Sequence, residues 1–369
     1  MKVQRIWIGE NVFNFILIGD DYRPIDYVTQ YMKYLYSIGK TMDTRHTYCI
    51  GLKYFYEYLG IMGINVTEVR IKHLSNYIVW LRHGDLKNLG PPIRTERTVN
   101  LYMKIALGFL KTLYLLGIET EDKTIGVYAD VSGKYNPFKD FLYHVSKNTT
   151  FTRNQLTLKP PKEHVSPLTK EQLYLLYDST SNCRDLFLLH LLLHTGIRIG
   201  EVLGLFHEDI IQSDEVFKLI IRNRLGKINQ SSAKTGYREV FMSRELIDLY
   251  DDYCFFTECE LEQTSDYVFV KICGPKAGMP MEKHDVYSLF RRLKKKTGID
   301  VFPHLFRRTY ATTTYVASNN IEYVRKTLGH SNVQTTVNSY VFPSEEQKVE
   351  EWKKVQAKIA ERSKKSDTI

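Results

Sequence analysis

Cysteine is scarce in this sequence. The five residues, Cys49, Cys183, Cys254, Cys259 and Cys273, form no CxxC pair. An odd number at such spacing argues against a disulfide framework and fits free thiols in a reducing cytoplasm. A zinc site on Cys254, Cys259 and Cys273 is disfavoured by the same spacing. No apolar run approaches the ~20 residues of a membrane span, and no basic-then-apolar leader opens the chain. The expectation is a soluble, cytoplasmic protein with no membrane partner. Acids are also in the minority. The 51 Lys/Arg against 42 Asp/Glu leave a net charge of +9, which favours a polyanionic partner.

At 369 residues the chain is long enough for two domains, each with its own core. Residues 1–22 alternate, "VQRIWIGENVFNFILIG", around a turn signal at Gly9 to Asn11, and predict a β-hairpin extension. From residue 23 to about 120 the period becomes helical. Tyr48, Leu52, Phe55 and Leu59 follow 4-3-4 steps, as do Val99, Met103, Ala106 and Leu110. Four helices are expected there, with Arg94 and Arg97 at the start of the last one, able to reach phosphates or to face water. Residues 121–165 include the polar, proline-bearing "SKNTTFTRNQLTLKPPKEHVSP" and read as a linker. A second domain, 166–345, opens at "SPLTKEQL" with a helix cap on Thr169 and Gln172 and mixes helices with two strands. The tail, 346–369, predicts a charged helix with a narrow apolar stripe of Val349, Trp352, Val355 and Ile359. It could pack on its own domain or on a neighbouring subunit.

The second domain carries "HTGIRIGEVLGL", with Arg198 set among apolar residues. A buried guanidinium without an anion costs several kcal/mol, so Arg198 must hold one: Glu201, three residues on, or a bound ligand. Further along, "AKTGYREVFM" offers Lys234 and "PHLFRRTYATTTYV" puts His304 and Arg307 on one helical face. "TLGHSNVQTT" presents His330 after a glycine, and "VNSYVF" presents Tyr340. Each residue alone has a structural explanation. Together they contain no carboxylate pair, no metal-ligand cluster and no glycine-rich phosphate cradle. They suit a phosphodiester. Two arginines can neutralise charge spreading over phosphate oxygens, the work that a divalent metal does elsewhere. A lysine can protonate a leaving alkoxide, histidines can handle protons, and a tyrosine hydroxyl can attack.

The order of these motifs closely resembles the tyrosine recombinase family of phage integrases and related transposases, over about residues 166–342. The helical residues 24–117 resemble the family's core-binding domain through weaker, mostly apolar motifs. The resemblance implies a multidomain fold. A mainly α, SAM-like core-binding domain precedes an α+β catalytic domain, the two clamping double-stranded DNA. Carried over by position, Arg198 and Arg307 hold the scissile phosphate, and Lys234 is general acid to the departing 5′ oxygen. His304 assists proton removal, His330 bonds the phosphate, and Tyr340 forms a 3′-phosphotyrosine. Glu201 is auxiliary, positioning its neighbours; Arg308, with Arg94 and Arg97, is a possible DNA contact.

Two departures stand out. Arg308 takes a position where the family often has histidine, and His330 to Tyr340 is ten residues, one longer than the common spacing. The resemblance further implies a homo-tetramer on paired sites, no cofactor or metal, and a site-specific recombinase or transposase of a mobile element in a bacterial or phage-infected cell. Two alternatives remain at this level: a type IB topoisomerase-like relaxing enzyme and a non-catalytic DNA-binding regulator.

Overall fold

Alternating side chains at the start of the chain produce a hairpin of β1 (Lys2–Gly9) and β2 (Val12–Ile18). The strands are antiparallel, with Lys2 opposite Ile18 and Trp7 opposite Phe13. A computed structural model describes residues 1–9, 12–86, 89–131, 151–161, 166–212, 216–224, 236–261 and 265–330, together with Trp352, Lys353 and Gln356. The chain divides into two units, Met1–Glu163 and His164–Ile369.

In the first unit four helices follow the hairpin: α1 (Asp26–Ser37), α2 (Met42–Met62), α3 (Ile71–His83) and α4 (Glu96–Leu115). Thr41 and Thr95 cap α2 and α4 by accepting from the amides of Thr44 and Thr98. The apolar stripes face one another, and Leu52, Phe55, Val99, Ala106 and Leu110 are buried in a shared core. The hairpin belongs to that core. Phe13, Phe15 and Leu17 are buried in it. Asn14 donates to Met32 O at 3.0 Å and accepts from Arg45 Nη1 at 2.9 Å, fastening β2 to α1 and α2.

Residues 1–22 are therefore no separate extension of the helical unit, and the expected linker also contributes structure. β3 (Tyr128–Val131) pairs antiparallel with β4 (Phe151–Asn154), and Val127 is buried in the helical core. Leu156 and Leu158 pack against the same core, while the Asn100 side chain bonds the backbone of Leu158 in both directions at 2.8 Å. The division between the units falls at residues 163–164, near the end of the expected 121–165 linker. A polar, proline-bearing composition hides this docking, because three apolar side chains and one amide supply it from distant positions. Residues 132–150 and 162–165 of the expected linker lie outside the described ones.

The second unit is built on α6 (Cys183–Thr195), which follows α5 (Lys170–Asp178). Phe187, Leu188, Leu189, Leu191 and Leu192 are all fully buried, as expected of a helix apolar on most sides. Next comes the short α7 (Ile199–Val202), then β5 (Ile210–Gln212), β6 (Phe217–Ile221) and β7 (Arg238–Met242) in one antiparallel sheet, ordered β5-β6-β7. Strand β5 is an addition to the two strands expected. After α8 (Arg244–Glu260) come α9 (Lys283–Thr297), α10 (Pro303–Ser318) and α11 (Ile321–Leu328). The basic run on α9 largely serves the protein itself. Arg292 reaches Asp185, Lys294 pairs with Asp300, and Lys296 donates to Ser179 O. Among the described residues, no helix is long and apolar enough to cross a membrane.

Candidate active site

Helix α6 ends at Gly196, whose φ of +61° is the left-handed conformation that stops a helix. The turn delivers Arg198 to the start of α7. There its amide donates to Glu201 Oε2 at 2.8 Å and its Nη1 to Glu201 Oε1 at 3.1 Å. The carboxylate is the resident partner of Arg198, so within the protein the guanidinium's anion is Glu201. The Glu201 side chain is fully buried, while that of Arg198 stays 27% exposed. Arg198 is therefore held from inside and presented outward.

Arg307 comes from α10, buried to 2% exposure. Its Nη1 donates to Gly196 O at 2.6 Å and its Nη2 to Leu328 O at 2.7 Å. Nη2 also lies 2.9 Å from Nε2 of His330. A guanidinium can only donate, so Nε2 is the acceptor and the proton of a neutral His330 sits on Nδ1. Arg198 Nη1 reaches the same Leu328 carbonyl at 3.4 Å. The C-terminal end of α11 thus gathers both arginines around one oxygen, with His330 bonded to Arg307 beside it, closing a site built from segments over a hundred residues apart.

Electrostatics follow from this crowding of cations. Burial lowers the pKa of His330 and the charges of Arg307 and Arg198 lower it further, to about 4. The ring is neutral near pH 7. Burial pushes the Glu201 carboxyl up, but bonds and charge from Arg238, with the Arg198 amide and charge, bring it down to about 2. His304, on the first turn of α10, is also lowered, by lost hydration and then by Arg307, Arg308 and Arg198. Since its side chain faces solvent, the neighbouring charges are the firmer cause.

Of the residues expected from the sequence, Arg198, Glu201, Arg307 and His330 are bonded into one network, and His304 lies within its electrostatic reach. Arg308 follows Arg307 on α10 and is half-buried. Lys234 and Tyr340 lie outside the described residues, as does the tail apart from Trp352, Lys353 and Gln356. In the first unit Arg97 is exposed. Arg94 is spent internally: its guanidinium lies 4.5 Å from the Tyr54 ring centroid and donates to Leu81 O at 2.8 Å. Among the other tyrosines near these motifs, Tyr310 packs its ring on Gly196 and Tyr323 is exposed.

Arg238 is not among the residues that the sequence motifs single out. It opens β7 and holds Glu201 with both ends of its fork, Nη2 to Oε2 at 2.7 Å and Nη1 to Oε1 at 3.1 Å. The only sequence signal is its place four residues after Lys234 in "AKTGYREVFM".

The model of the phage integrase family matches residues 166–347. Transposase A from transposon Tn554 of Staphylococcus aureus is 34% identical over 361 residues, 96% of this chain and 98% of that protein. The chain belongs to the phage integrase family. As a tyrosine recombinase it is also similar to tyrosine recombinase XerD of Corynebacterium glutamicum, 20% identical over 81% of this chain and 87% of that one. In fold it is similar to the Tn1549 transposon integrase solved in complex with circular intermediate DNA. The TM-score is 0.58 at 18% identity, covering 88% of this chain and 98% of that chain. A lambda integrase dimer bound to a core site gives a TM-score of 0.54 at 15% identity, covering 84% and 96%.

Proposed function

We propose that this tyrosine recombinase cuts and rejoins duplex DNA at the ends of a mobile element, through a covalent 3′-phosphotyrosine on Tyr340. The Tyr340 hydroxyl oxygen attacks the scissile phosphorus, and the bond from phosphorus to the 5′ oxygen breaks. Lys234 supplies the proton to that oxygen, while His304 assists removal of the tyrosine proton. A 5′ hydroxyl from a second strand then attacks the phosphotyrosine and releases Tyr340. The phosphodiester's bond energy is kept throughout, so the reaction needs no ATP, and the two arginines take the charge-neutralising place of a metal.

One observation carries this reading. Arg198 and Arg307 are held against one carbonyl oxygen with a neutral His330 beside them. Two fixed cations and a hydrogen-bonding ring suit the charge that spreads over non-bridging phosphate oxygens during transfer. The relatives named as transposases and recombinases, and neighbours of the same fold solved with DNA, lend support. The assembly we propose is a homo-tetramer on two DNA sites, acting in the cytoplasm of a bacterial cell. Neither a relaxing topoisomerase nor a non-catalytic regulator is favoured by these relatives.

Incubation with a nicked duplex carrying the element's end tests the reading. A covalent protein–DNA adduct should form equally well in EDTA. Adduct that disappears on chelation and returns with magnesium, while duplex binding stays constant, overturns the metal-free mechanism. Strand exchange between two sites separates a recombinase from a relaxing enzyme.

A further inference from the structure

Glu201 is a fully buried carboxylate, and Arg238 and Arg198 do not share it equally. Arg238 grips both oxygens through Nη1 and Nη2. Arg198 offers one guanidinium nitrogen at 3.1 Å, besides its amide. A third nitrogen of Arg238, Nε, donates to Thr327 O at 3.0 Å, one residue before the carbonyl that gathers Arg198 and Arg307. The Arg238 side chain is 9% exposed against 27% for Arg198, so the first is the internal partner and the second the outward one.

We infer that Arg238 is a positioning residue for strand transfer, which takes up the charge of Glu201 so that Arg198 keeps its own to offer a phosphate. The inference rests on the function proposed above. The three side chains together carry one net positive charge. Without Arg238, Glu201 is left with Arg198 as a one-to-one ion pair with no net charge. Its freed oxygens then draw the Arg198 fork into a two-pronged grip, the geometry that guanidinium and carboxylate favour. Arg198 would be turned inward and neutralised, and the transition state would lose one of its two cations. A purely mechanical clip between β7, α7 and α11 would not depend on charge in this way.

The charge balance can be manipulated directly in the full-length protein. Arg238→Met should slow adduct formation on a nicked duplex by about a hundredfold, the scale of losing one fixed donor at a transition state, with duplex binding unchanged. Arg238→Lys should fall between wild type and Arg238→Met, since it keeps the charge and loses the fork. The decisive variant is the double substitution Arg238→Met with Glu201→Gln, which restores one net positive charge and should react faster than Arg238→Met alone. A double variant that melts like the single one and reacts no faster overturns the inference. If Arg238→Met does not fold, Arg238→Lys compared with Arg238→Lys plus Glu201→Gln makes the same comparison. Titration of the Glu201 carboxyl by carbon NMR is independent of any DNA reaction. It should move from about 2 upward when Arg238 is substituted, and an unmoved titration also overturns the inference. Failure of the wild-type protein to form adduct, with that titration shifted as expected, counts against the proposed function and not against the charge role of Arg238.

Discussion

Arg198 and Arg307 donate to the same acceptor, the carbonyl oxygen of Leu328, from 3.4 and 2.7 Å. They do so from different environments, which separates the consequences of removing them. Arg307 is buried and also holds Gly196 O and His330 Nε2, so alanine there takes the donor from both and leaves Leu328 O only the longer bond from Arg198. Arg198 is partly exposed, and its loss leaves Glu201 still gripped by Arg238. Both Arg198→Ala and Arg307→Ala should abolish adduct formation on a nicked duplex with little loss of DNA binding, which is spread over many phosphates. Only Arg307→Ala should also cost about 3 kcal/mol of stability in urea, from buried groups left unpaired. Equal destabilisation by the two would contradict this division.

The neutral His330 predicts a pH dependence of stability. Its folded pKa of about 4 lies below the ordinary 6.5, so between those values the unfolded chain binds the proton and the folded one does not. Stability should therefore be complete above pH 6.5 and decline as the pH falls toward 4. His190, also lowered to about 4 by burial and by His194, acts in the same direction. His330→Gln keeps an acceptor for Arg307 but does not titrate, so its denaturation midpoint should fall less steeply across that window. A profile as steep as wild type would show that folding does not lower the His330 pKa.

Gly196→Ala should damage both stability and the site. A Cβ there would lie 2.2 Å from Cδ1 of Tyr310, on a residue with positive φ. Strain and overlap together should cost about 3 kcal/mol, and the displaced carbonyl should release Arg307. Adding Tyr310→Ala should relieve the overlap, so that the double variant is less destabilised than the sum of the two singles. Additive losses in urea denaturation would place the cost elsewhere.

Much of this was legible in the sequence, for reasons that differ by element. Periodicity exposes α2 and α4, because their stripes at Leu52, Phe55, Val99 and Ala106 repeat locally. The hairpin announces itself by alternation. Arg198, Glu201, Arg307 and His330 can be found because their residue types in order are unusual, yet only the fold reveals that Glu201 is already engaged. Arg238 could not be singled out. An arginine beginning a strand is ordinary until α7 and α11 are brought beside it. The docking of Val127, Leu156 and Leu158 was hidden by the polar residues around them, and β5 by its length of three residues.

The central claim is that Tyr340 becomes joined to DNA, and mapping the adduct tests it most directly. Wild-type protein trapped on a nicked duplex should be digested with protease and the DNA-bearing peptide sequenced by mass spectrometry. Tyr340→Phe removes one oxygen, so folding and duplex binding should persist while the adduct is lost. The ten-residue interval from His330 makes the choice of tyrosine a sharp one, with the exposed Tyr323 as the nearest competitor among the described residues. The account predicts DNA on the peptide containing Tyr340. DNA on a peptide carrying Tyr323, Tyr310 or any other tyrosine would contradict it.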